Sequence, residues 1–350
     1  MKSEREREKE KMEREAWLRG IWEMVKEGVS QRLLSWHLPS PPFLIPNQLS
    51  GLTVIVTGCT SGIGLCVARE MVMAGAHVIM ACRNAEGANQ IASEWREDTH
   101  NSQDIMVEVM RLDLLSLASV RSFGEEWNSR GMPLHLLINN AGAIYMKEPQ
   151  QFTEDGIERH MQVNHIAPAL LTLLLLPSLL KAPFSRIVNV NSVAHHCALI
   201  DPTRWKSKIN DGDFNAIRAY GESKLAQLMF VKTLAAKLYE KKITSIQCIT
   251  VNPGIVNTNM VKQQQKHKIA EWKLFWMFSP AEGARSVLFC STNESVVKNT
   301  IECFAHYSSV CAPTKEAPQA MDVNSCVNVW NKTMEMLDLD MDHLSRLIDV

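Results

Sequence analysis

A tyrosine and a lysine, Tyr220 and Lys224, stand four residues apart in a segment that reads Tyr-Gly-Glu-Ser-Lys. On an α-helix this spacing brings both side chains to one face. A lysine ammonium there would favour the phenolate and lower the tyrosine pKa from about 10 toward working pH. The pair therefore predicts a general acid or base centred on Tyr220. Because the Tyr-x-x-x-Lys spacing also occurs by chance, it indicates a catalytic pair only if a cofactor-binding motif precedes it in the sequence.

A glycine-rich segment, Thr-Gly-Cys-Thr-Ser-Gly-Ile-Gly over residues 57–64, lies between an apolar run and a helical pattern. Glycines allow a tight turn and a close approach of backbone to a pyrophosphate. The helix that follows would offer free N–H groups and a positive dipole end to the phosphates. The segment therefore predicts a dinucleotide site. Its candidate contacts are Gly58, Ser61, Gly62, Ile63 and Gly64.

The end of the second predicted strand, Ala-Cys-Arg-Asn at residues 81–84, indicates which dinucleotide is bound. An NAD site usually carries an acid near this point for the ribose 2′-hydroxyl, and the segment has none. Arg83 instead offers a guanidinium fork that suits a 2′-phosphate. NADP(H) is the predicted cofactor. A surface arginine with mixed cofactor use is the alternative.

Two further segments follow predicted strands. Asp113 could accept from the adenine amino group, or it could cap the helix that starts near Ser116. In Asn-Asn-Ala-Gly at residues 139–142, the small residues would let the backbone pass close to a cofactor. The candidate contacts there are Asn140, Ala141 and Gly142.

The elements that must position these residues alternate along the chain. Apolar runs predict strands at residues 53–57, 76–81, 105–112, 134–138, 186–190, 244–251 and 301–307. Helical patterns occupy residues 63–74, 85–95, 117–127, 218–238, 280–288 and 327–347. The uncharged run 161–180 fits a long buried helix, because Gln162, Asn164, His165 and Pro177 disfavour a membrane span. Alternation with buried strands predicts a doubly wound parallel α/β sheet, the Rossmann fold, in a single domain.

Three regions follow from this pattern. Residues 1–50 form a charged, Trp-containing helical extension, residues 51–315 the Rossmann domain with a substrate-loop segment at 255–280, and residues 316–350 a helical tail. In the extension the large apolar residues follow near-helical spacing: Trp17, Leu18, Ile21, Trp22, Val25, Val29 and Leu33. A helix packed on the domain and a membrane-surface or partner helix with Trp anchors both stay open. Packing is favoured, because the opposite face mixes Glu23, Lys26 and Glu27 and is not distinctly basic.

Composition excludes several classes of protein. With 46% hydrophobic and 21% charged residues, the chain is neither a disordered nor a collagen-like sequence. A net charge of -1 argues against a dedicated nucleic-acid binder. The nine cysteines include no C-x-x-C pair, so no metal site is predicted, and the pattern is typical of reduced, cytoplasmic protein.

Taken in order, these motifs resemble the short-chain dehydrogenase/reductase family over roughly residues 51–310. The stretch between Ser192 and Tyr220 is longer than in compact members, and residues 204–218 resemble the inserted loop of retinol-dehydrogenase-like and WW-domain-oxidoreductase-like members. Ala-Cys-Arg-Asn is also typical of that branch. One departure is Asn191, where the family commonly has serine.

The resemblance implies roles for individual residues. Ser192 would hydrogen-bond the substrate oxygen, and Tyr220 would exchange a proton with it. Lys224 would hold the nicotinamide ribose and tune Tyr220, and Asn164 would hold a water of the proton relay. The nicotinamide end would be lined by Pro253, Gly254 and Thr258. His195 and His196 are interpreted as substrate-loop or packing residues.

Two functions follow. The favoured one is an NADP(H)-dependent oxidoreductase that interconverts a carbonyl and an alcohol on an apolar, lipid-, sterol- or retinoid-like substrate. The other is a catalytically silent, cofactor-binding regulatory or scaffold protein; the intact site residues favour the enzyme. Residues 17–36 or 272–278 are the candidate peripheral membrane contacts. The resemblance also suggests a homodimer through the helix at 161–180, although core packing explains its apolar character almost as well.

Overall fold

The structure, a computed structural model, describes residues 4–98, 105–146, 148–209, 212–258 and 276–348. The strands in these ranges form one parallel sheet in the order β3-β2-β1-β4-β5-β6-β7. They are β1 Thr53–Thr57, β2 His77–Cys82, β3 Val107–Arg111, β4 Leu136–Asn139, β5 Ser185–Val190, β6 Ile246–Val251 and β7 Phe304–Tyr307. The predicted doubly wound Rossmann fold is confirmed.

Helices flank both faces of the sheet. In the described ranges they are α1 Glu4–Leu33, α2 Gly62–Met73, α3 Ala85–Asp98, α4 Leu117–Ser129, α5 Arg159–Met161, α6 Ala167–Lys181, α7 Ala216–Glu240, α8 Pro280–Thr292, α9 Glu294–Lys298, α10 Pro318–Met321, α11 Val323–Met336 and α12 His343–Ile348. A π-helical turn, Gln162–Ile166, joins α5 to α6. Short 3-10 helices, Val193–Cys197 and Pro202–Arg204, follow β5.

Two apolar cores sandwich the sheet because successive strand residues point to opposite faces. Ile55 and Ile79 belong to one core, and Val54 and Val78 to the other. Strands buried on both faces explain why their sequences read as continuous apolar runs. All nine cysteines are free thiols, and most of them are buried.

The uncharged run is a core helix. By length and composition alone, Arg159–Lys181 could cross a membrane, but 83% of its most apolar window is buried within the protein. It packs against α4 and β4. Core packing therefore accounts for its apolar character.

The helical tail differs from the prediction of one helix over 327–347. α11 ends at Met336, and Asp338 then adopts a left-handed conformation with φ +57° before α12 begins at His343. A non-glycine residue in that region breaks the helical path, so the tail forms two helices. α11 packs on α7, where the Trp330 ring stacks on Phe230 with centroids 4.8 Å apart.

The N-terminal helix packs on the domain, but not through the face that its apolar residues suggested. Ala16, Gly20 and Gln31 are buried against the domain. Gly20 is required there, because a Cβ would lie 2.2 Å from the Cys197 Sγ. The predicted apolar stripe faces solvent instead. Its exposed members are Leu18, Ile21, Trp22, Val25, Val29 and Leu33.

Candidate active site

The candidate residues meet at the carboxyl edge of the sheet. The register of the parallel strands puts the ends of β1, β4, β5 and β6 at one edge. The chain runs from β1 to β2 on one side and to β4 on the other, so the β1–β4 boundary is a topological switch point. Open α/β sheets bind their ligands at such a point.

The glycine turn is folded against the segment that follows β4. Gly58 has φ +65°, and a Cβ there would lie 2.8 Å from the Ala141 Cα. The Asn140 Nδ2 donates to the carbonyl oxygens of Thr57 and Gly58 at 2.9 and 3.1 Å. The Asn140 side chain therefore holds the glycine turn in place. Its contact with a cofactor stays a prediction.

The start of α2 fits a phosphate group. Gly62, its first residue, has φ +59°, and the preceding Ser61 makes no side-chain cap bond. The first turn carries no acidic residue. Backbone N–H groups and the positive helix end therefore remain available to an anion.

A second part of the candidate cofactor site lies beside Gly142. A Cβ on this residue would come within 3.3 Å of both the Lys224 Nζ and the Asn164 Oδ1. Glycine therefore keeps open the space in front of the lysine. Together with the α2 terminus, this geometry fits a nicotinamide dinucleotide, with its pyrophosphate on the glycine turn and a ribose near Lys224.

Two residues, Arg83 and Asp113, were predicted to contact the adenosine half of the cofactor. Arg83 follows the end of β2 and is exposed. The Asp113 Oδ1 accepts from the Leu115 N at 3.0 Å, while Ser116 is the N-cap of α4. Asp113 thus closes its own turn and does not cap the helix as one alternative had it. Its contact with a cofactor stays a prediction.

Asn164 lies inside the π-helical turn. Its Oδ1 accepts from the Ala143 N at 2.7 Å, and its Nδ2 donates to the Ala143 O and the Ser223 Oγ at 2.9 Å each. Such turns often occur at functional sites. This one fastens the segment after β4 to α7, the helix that carries Tyr220 and Lys224. The periodic sequence pattern gave no sign of the altered helical pitch.

Ser192 and Tyr220 are neighbours in the candidate site, and the serine affects the pKa of the tyrosine. Ser192 caps the 3-10 helix Val193–Cys197, and its Oγ accepts from the Ala194 N at 3.2 Å. Burial raises the pKa of Tyr220, and the hydrogen bond with Ser192 offsets only part of that rise. The predicted lowering of the tyrosine pKa is therefore not what the structure shows.

Lys224 is the buried cation of the site. Its Nζ donates to the Val190 O at 2.8 Å and lies 6.0 Å from the Tyr220 ring centroid. Burial lowers the pKa of Lys224 to about 7, because the ammonium loses hydration. The lysine is thus only partly charged near neutral pH, which weakens its pull on the tyrosine.

The side chain of Asn191, where the family commonly has serine, makes hydrogen bonds to two backbone segments. Its Nδ2 donates to the Lys224 O at 2.8 Å, and its Oδ1 accepts from the Ser192 N at 2.8 Å. The side chain therefore ties the serine segment to the helix that carries Lys224.

His195 and His196 are packing residues. The His195 Nδ1 lies 2.6 Å from the Ser192 O, and the two imidazole rings are 4.1 Å apart. Burial lowers the pKa of His195 to about 3 and that of His196 to about 4, so both are neutral near pH 7.

Gln31 is a site residue that sequence reasoning missed. Its Nε2 donates to the carbonyl oxygens of Ile255 and Trp276 at 3.2 and 2.6 Å, and its Oε1 accepts from the Ile255 N at 2.8 Å. It abuts Gly254, whose φ is +89°; a Cβ there would lie 2.6 Å from the Gln31 Oε1. A glutamine in a charged helix gives no sequence signal for a partner more than two hundred residues away.

The remaining predicted contacts fall near this point. A Cβ on Gly62 would lie 3.3 Å from the Thr258 Cγ2, so Thr258 reaches the glycine turn. Pro253 and Gly254 directly follow the end of β6. Residues 259–275, and with them most of the predicted aromatic segment 272–278, lie outside the described residues.

Known proteins share this arrangement. The sequence profile described as short chain dehydrogenase matches residues 52–202 and 206–269. The chain belongs to the short-chain dehydrogenase family. An Arabidopsis thaliana relative, dehydrogenase/reductase SDR family member FEY, is 39% identical over 343 residues, which are 95% of this chain and 90% of that protein. Human retinol dehydrogenase 12 is 36% identical over 294 residues, 83% of this chain and 88% of the relative.

A solved structure agrees with the fold of this short-chain dehydrogenase. A crystal structure from Mycobacterium paratuberculosis matches with a TM-score of 0.64 and 27% identity, covering 83% of this chain and 95% of that one. The protein is therefore an oxidoreductase of this family, whose members bind NAD(P).

Proposed function

We propose that the protein is an NADP(H)-dependent oxidoreductase that interconverts a carbonyl and an alcohol on an apolar substrate, with Tyr220 as general acid and base. The observation that carries the proposal is the open space beside Gly142, where a Cβ would lie 3.3 Å from both the Lys224 Nζ and the Asn164 Oδ1, with the Tyr220 ring centroid 6.0 Å from the same Nζ. Tyr220 lies on α7, the helix that also carries Lys224, and Ser192 caps the 3-10 helix that follows β5. Gly142 keeps open the space in front of the lysine.

The raised pKa of Tyr220 suits reduction. Burial keeps the phenol protonated near pH 7, so it can donate to a carbonyl oxygen. Ser192 orients the same oxygen through its hydroxyl. Bound NADPH would supply the hydride, and the protein supplies position and the proton. In the reverse direction Tyr220 accepts the alcohol proton, which requires the phenolate.

Lys224 and Asn164 support this chemistry. The lysine amine, held by the Val190 carbonyl, would bind the nicotinamide ribose. Asn164 fixes the backbone beside Gly142 through its two bonds to Ala143. The relay water implied for Asn164 stays a prediction.

Arg83 supports the choice of NADP(H). It stands exposed directly after β2, where its guanidinium can reach a 2′-phosphate. No acidic residue lies at residues 81–84 to bind a free ribose 2′-hydroxyl.

Two observations support an apolar substrate. The human relative is named for retinol, an apolar alcohol. Phe278, near the end of the substrate-loop segment, is fully buried, and Trp276 is partly exposed beside it. An apolar carbonyl or alcohol is therefore the substrate that we propose.

Titration of the purified protein with NADPH and NADH, beside Arg83→Ala, tests the cofactor proposal. Loss of a charge-assisted phosphate contact should weaken NADPH binding by about tenfold or more and leave NADH binding nearly unchanged. Equal affinity of the wild-type protein for both cofactors would refute the NADP(H) preference. Tight NADPH binding without turnover of any apolar aldehyde or ketone would favour the silent scaffold instead.

A further inference from the structure

His160 is a buried histidine that lies four residues before Asn164, and both of its ring nitrogens make hydrogen bonds. Its Nε2 accepts from the Tyr145 N at 2.9 Å, and its Nδ1 lies 2.7 Å from the Glu158 Oε1. A backbone N–H can only donate, so the ring is neutral with its proton on Nδ1, which donates to Glu158. Neither nitrogen is left for proton exchange with a substrate.

Glu158 fixes this tautomer of the imidazole. Its side chain is buried, and its Oε2 accepts from the Met161 N at 3.0 Å, which holds the carboxyl group beside the ring. The hydrogen bond at one ring nitrogen of a histidine decides which nitrogen carries the proton. The Nε2 of His160 is therefore kept as an acceptor for the backbone of the loop that follows β4.

The loop held by His160 begins at Gly142, the glycine that keeps open the space in front of the buried lysine. Asn164 binds this loop at the N and O of Ala143, and His160 binds it two residues later at the Tyr145 N. The two attachments together fix the direction in which the chain leaves the candidate site.

The imidazole also lies between this loop and the chain that enters α7. The Tyr145 ring packs edge-on against it with centroids 5.1 Å apart, and the Phe214 ring centroid lies 6.2 Å away. Phe214 directly precedes Asn215, the N-cap of α7, and α7 carries Tyr220. His160 therefore contacts both segments that lead to the candidate site residues.

We propose that His160 is a positioning residue, which holds residues 143–145 so that a substrate is oriented correctly toward Tyr220. This inference rests on the proposed function. Without the Nε2 acceptor the Tyr145 N–H would lose its partner, and the loop would lose one of its two attachments. Small displacements of positioning groups are costly, because the reacting atoms must meet within a narrow range of distances and angles.

Two substitutions at His160 separate its two hydrogen bonds. The amide of asparagine reaches the position of Nδ1, so His160→Asn keeps a donor for Glu158 but has no acceptor for the Tyr145 N. Glutamine reaches the position of Nε2, so His160→Gln keeps that acceptor. The matched control is His135→Leu, because the His135 Nδ1 also accepts from a backbone group, the Thr53 N at 3.0 Å, but at the opposite edge of the sheet.

Amide hydrogen exchange, measured by mass spectrometry on peptides that span residues 143–146, reports the hold on the loop without any turnover. Loss of one hydrogen bond should speed exchange there about fivefold in His160→Asn. His160→Gln and His135→Leu should exchange in this segment like the wild type. Circular dichroism and thermal unfolding check that the three variants are folded. Wild-type exchange in His160→Asn would overturn the inference.

Turnover of decanal, used as the probe aldehyde with saturating NADPH, measures the positioning. In His160→Asn kcat/KM should fall about tenfold or more, with the NADPH dissociation constant unchanged, while His160→Gln and His135→Leu stay near the wild type. An equal loss in His160→Gln or in the control would show general destabilisation and overturn the inference. If the wild type reduces no apolar aldehyde, the proposed function fails, and the exchange experiment alone decides whether His160 holds the loop.

Discussion

At the scale of single residues, burial governs the two groups that the chemistry depends on. It raises the pKa of Tyr220 and lowers that of Lys224, so each is pushed toward its neutral form. The spacing Tyr-x-x-x-Lys correctly predicted that Tyr220 and Lys224 lie next to each other. Its electrostatic consequence was not predictable, because sequence does not give the depth at which a pair is buried.

The low pKa of Lys224 makes stability depend on pH. The folded lysine titrates at about 7 and the unfolded one near 10.5, so between these values the unfolded chain binds more protons. Stability should therefore rise with pH across this window in the wild type. In Lys224→Met that rise should be smaller.

Urea unfolding of both proteins at about pH 7 and about pH 9.5 measures this difference. Identical gains in the free energy of unfolding would show that Lys224 does not titrate with a lowered pKa. Other groups contribute to both proteins and cancel in the comparison.

At the scale of elements, α1 is part of the site, since Gln31 fixes the backbone beside Gly254. We predict that Gln31→Met weakens NADPH binding, because the segment after β6 loses its anchor. The chain offers a matched control in Gln319, whose side chain bonds to the Ile200 N and O at 2.8 Å each.

Both Gln31→Met and Gln319→Met should lose about 1–3 kcal/mol of stability, since each leaves backbone groups unpaired. Only Gln31→Met should change the NADPH dissociation constant, measured by fluorescence titration. If Gln319→Met changed it as much, general destabilisation would explain the effect and the positioning role would be lost.

The strands were predictable, because a short run of apolar residues directly indicates a strand that is buried on both faces. The face through which α1 packs on the domain was not predictable. Large apolar residues predicted packing through Leu18 and Trp22, yet small Gly20 allows the opposite face to approach Cys197 more closely. The π-helical turn at Asn164 and the break at Asp338 also depend on tertiary contacts or single dihedral angles, which periodicity does not encode.

At the scale of the whole molecule, the C-terminal helices pack on two helices of the Rossmann domain, α7 and α6. α11 covers α7 through Trp330, and α12 lies against α6. α6 lies within residues 161–180, the run through which the family resemblance suggests a homodimer. The homodimer stays a prediction, and core packing alone explains the apolar sequence of α6.

The most direct test of the account is NADPH oxidation with a panel of apolar aldehydes and ketones, comparing the wild type with Tyr220→Phe. The wild type should turn over at least one substrate. The variant should bind NADPH with unchanged affinity but react about 10²-fold more slowly or worse, because it lacks the proton donor. Equal rates in the two proteins would contradict the role of Tyr220 and, with it, the proposed mechanism.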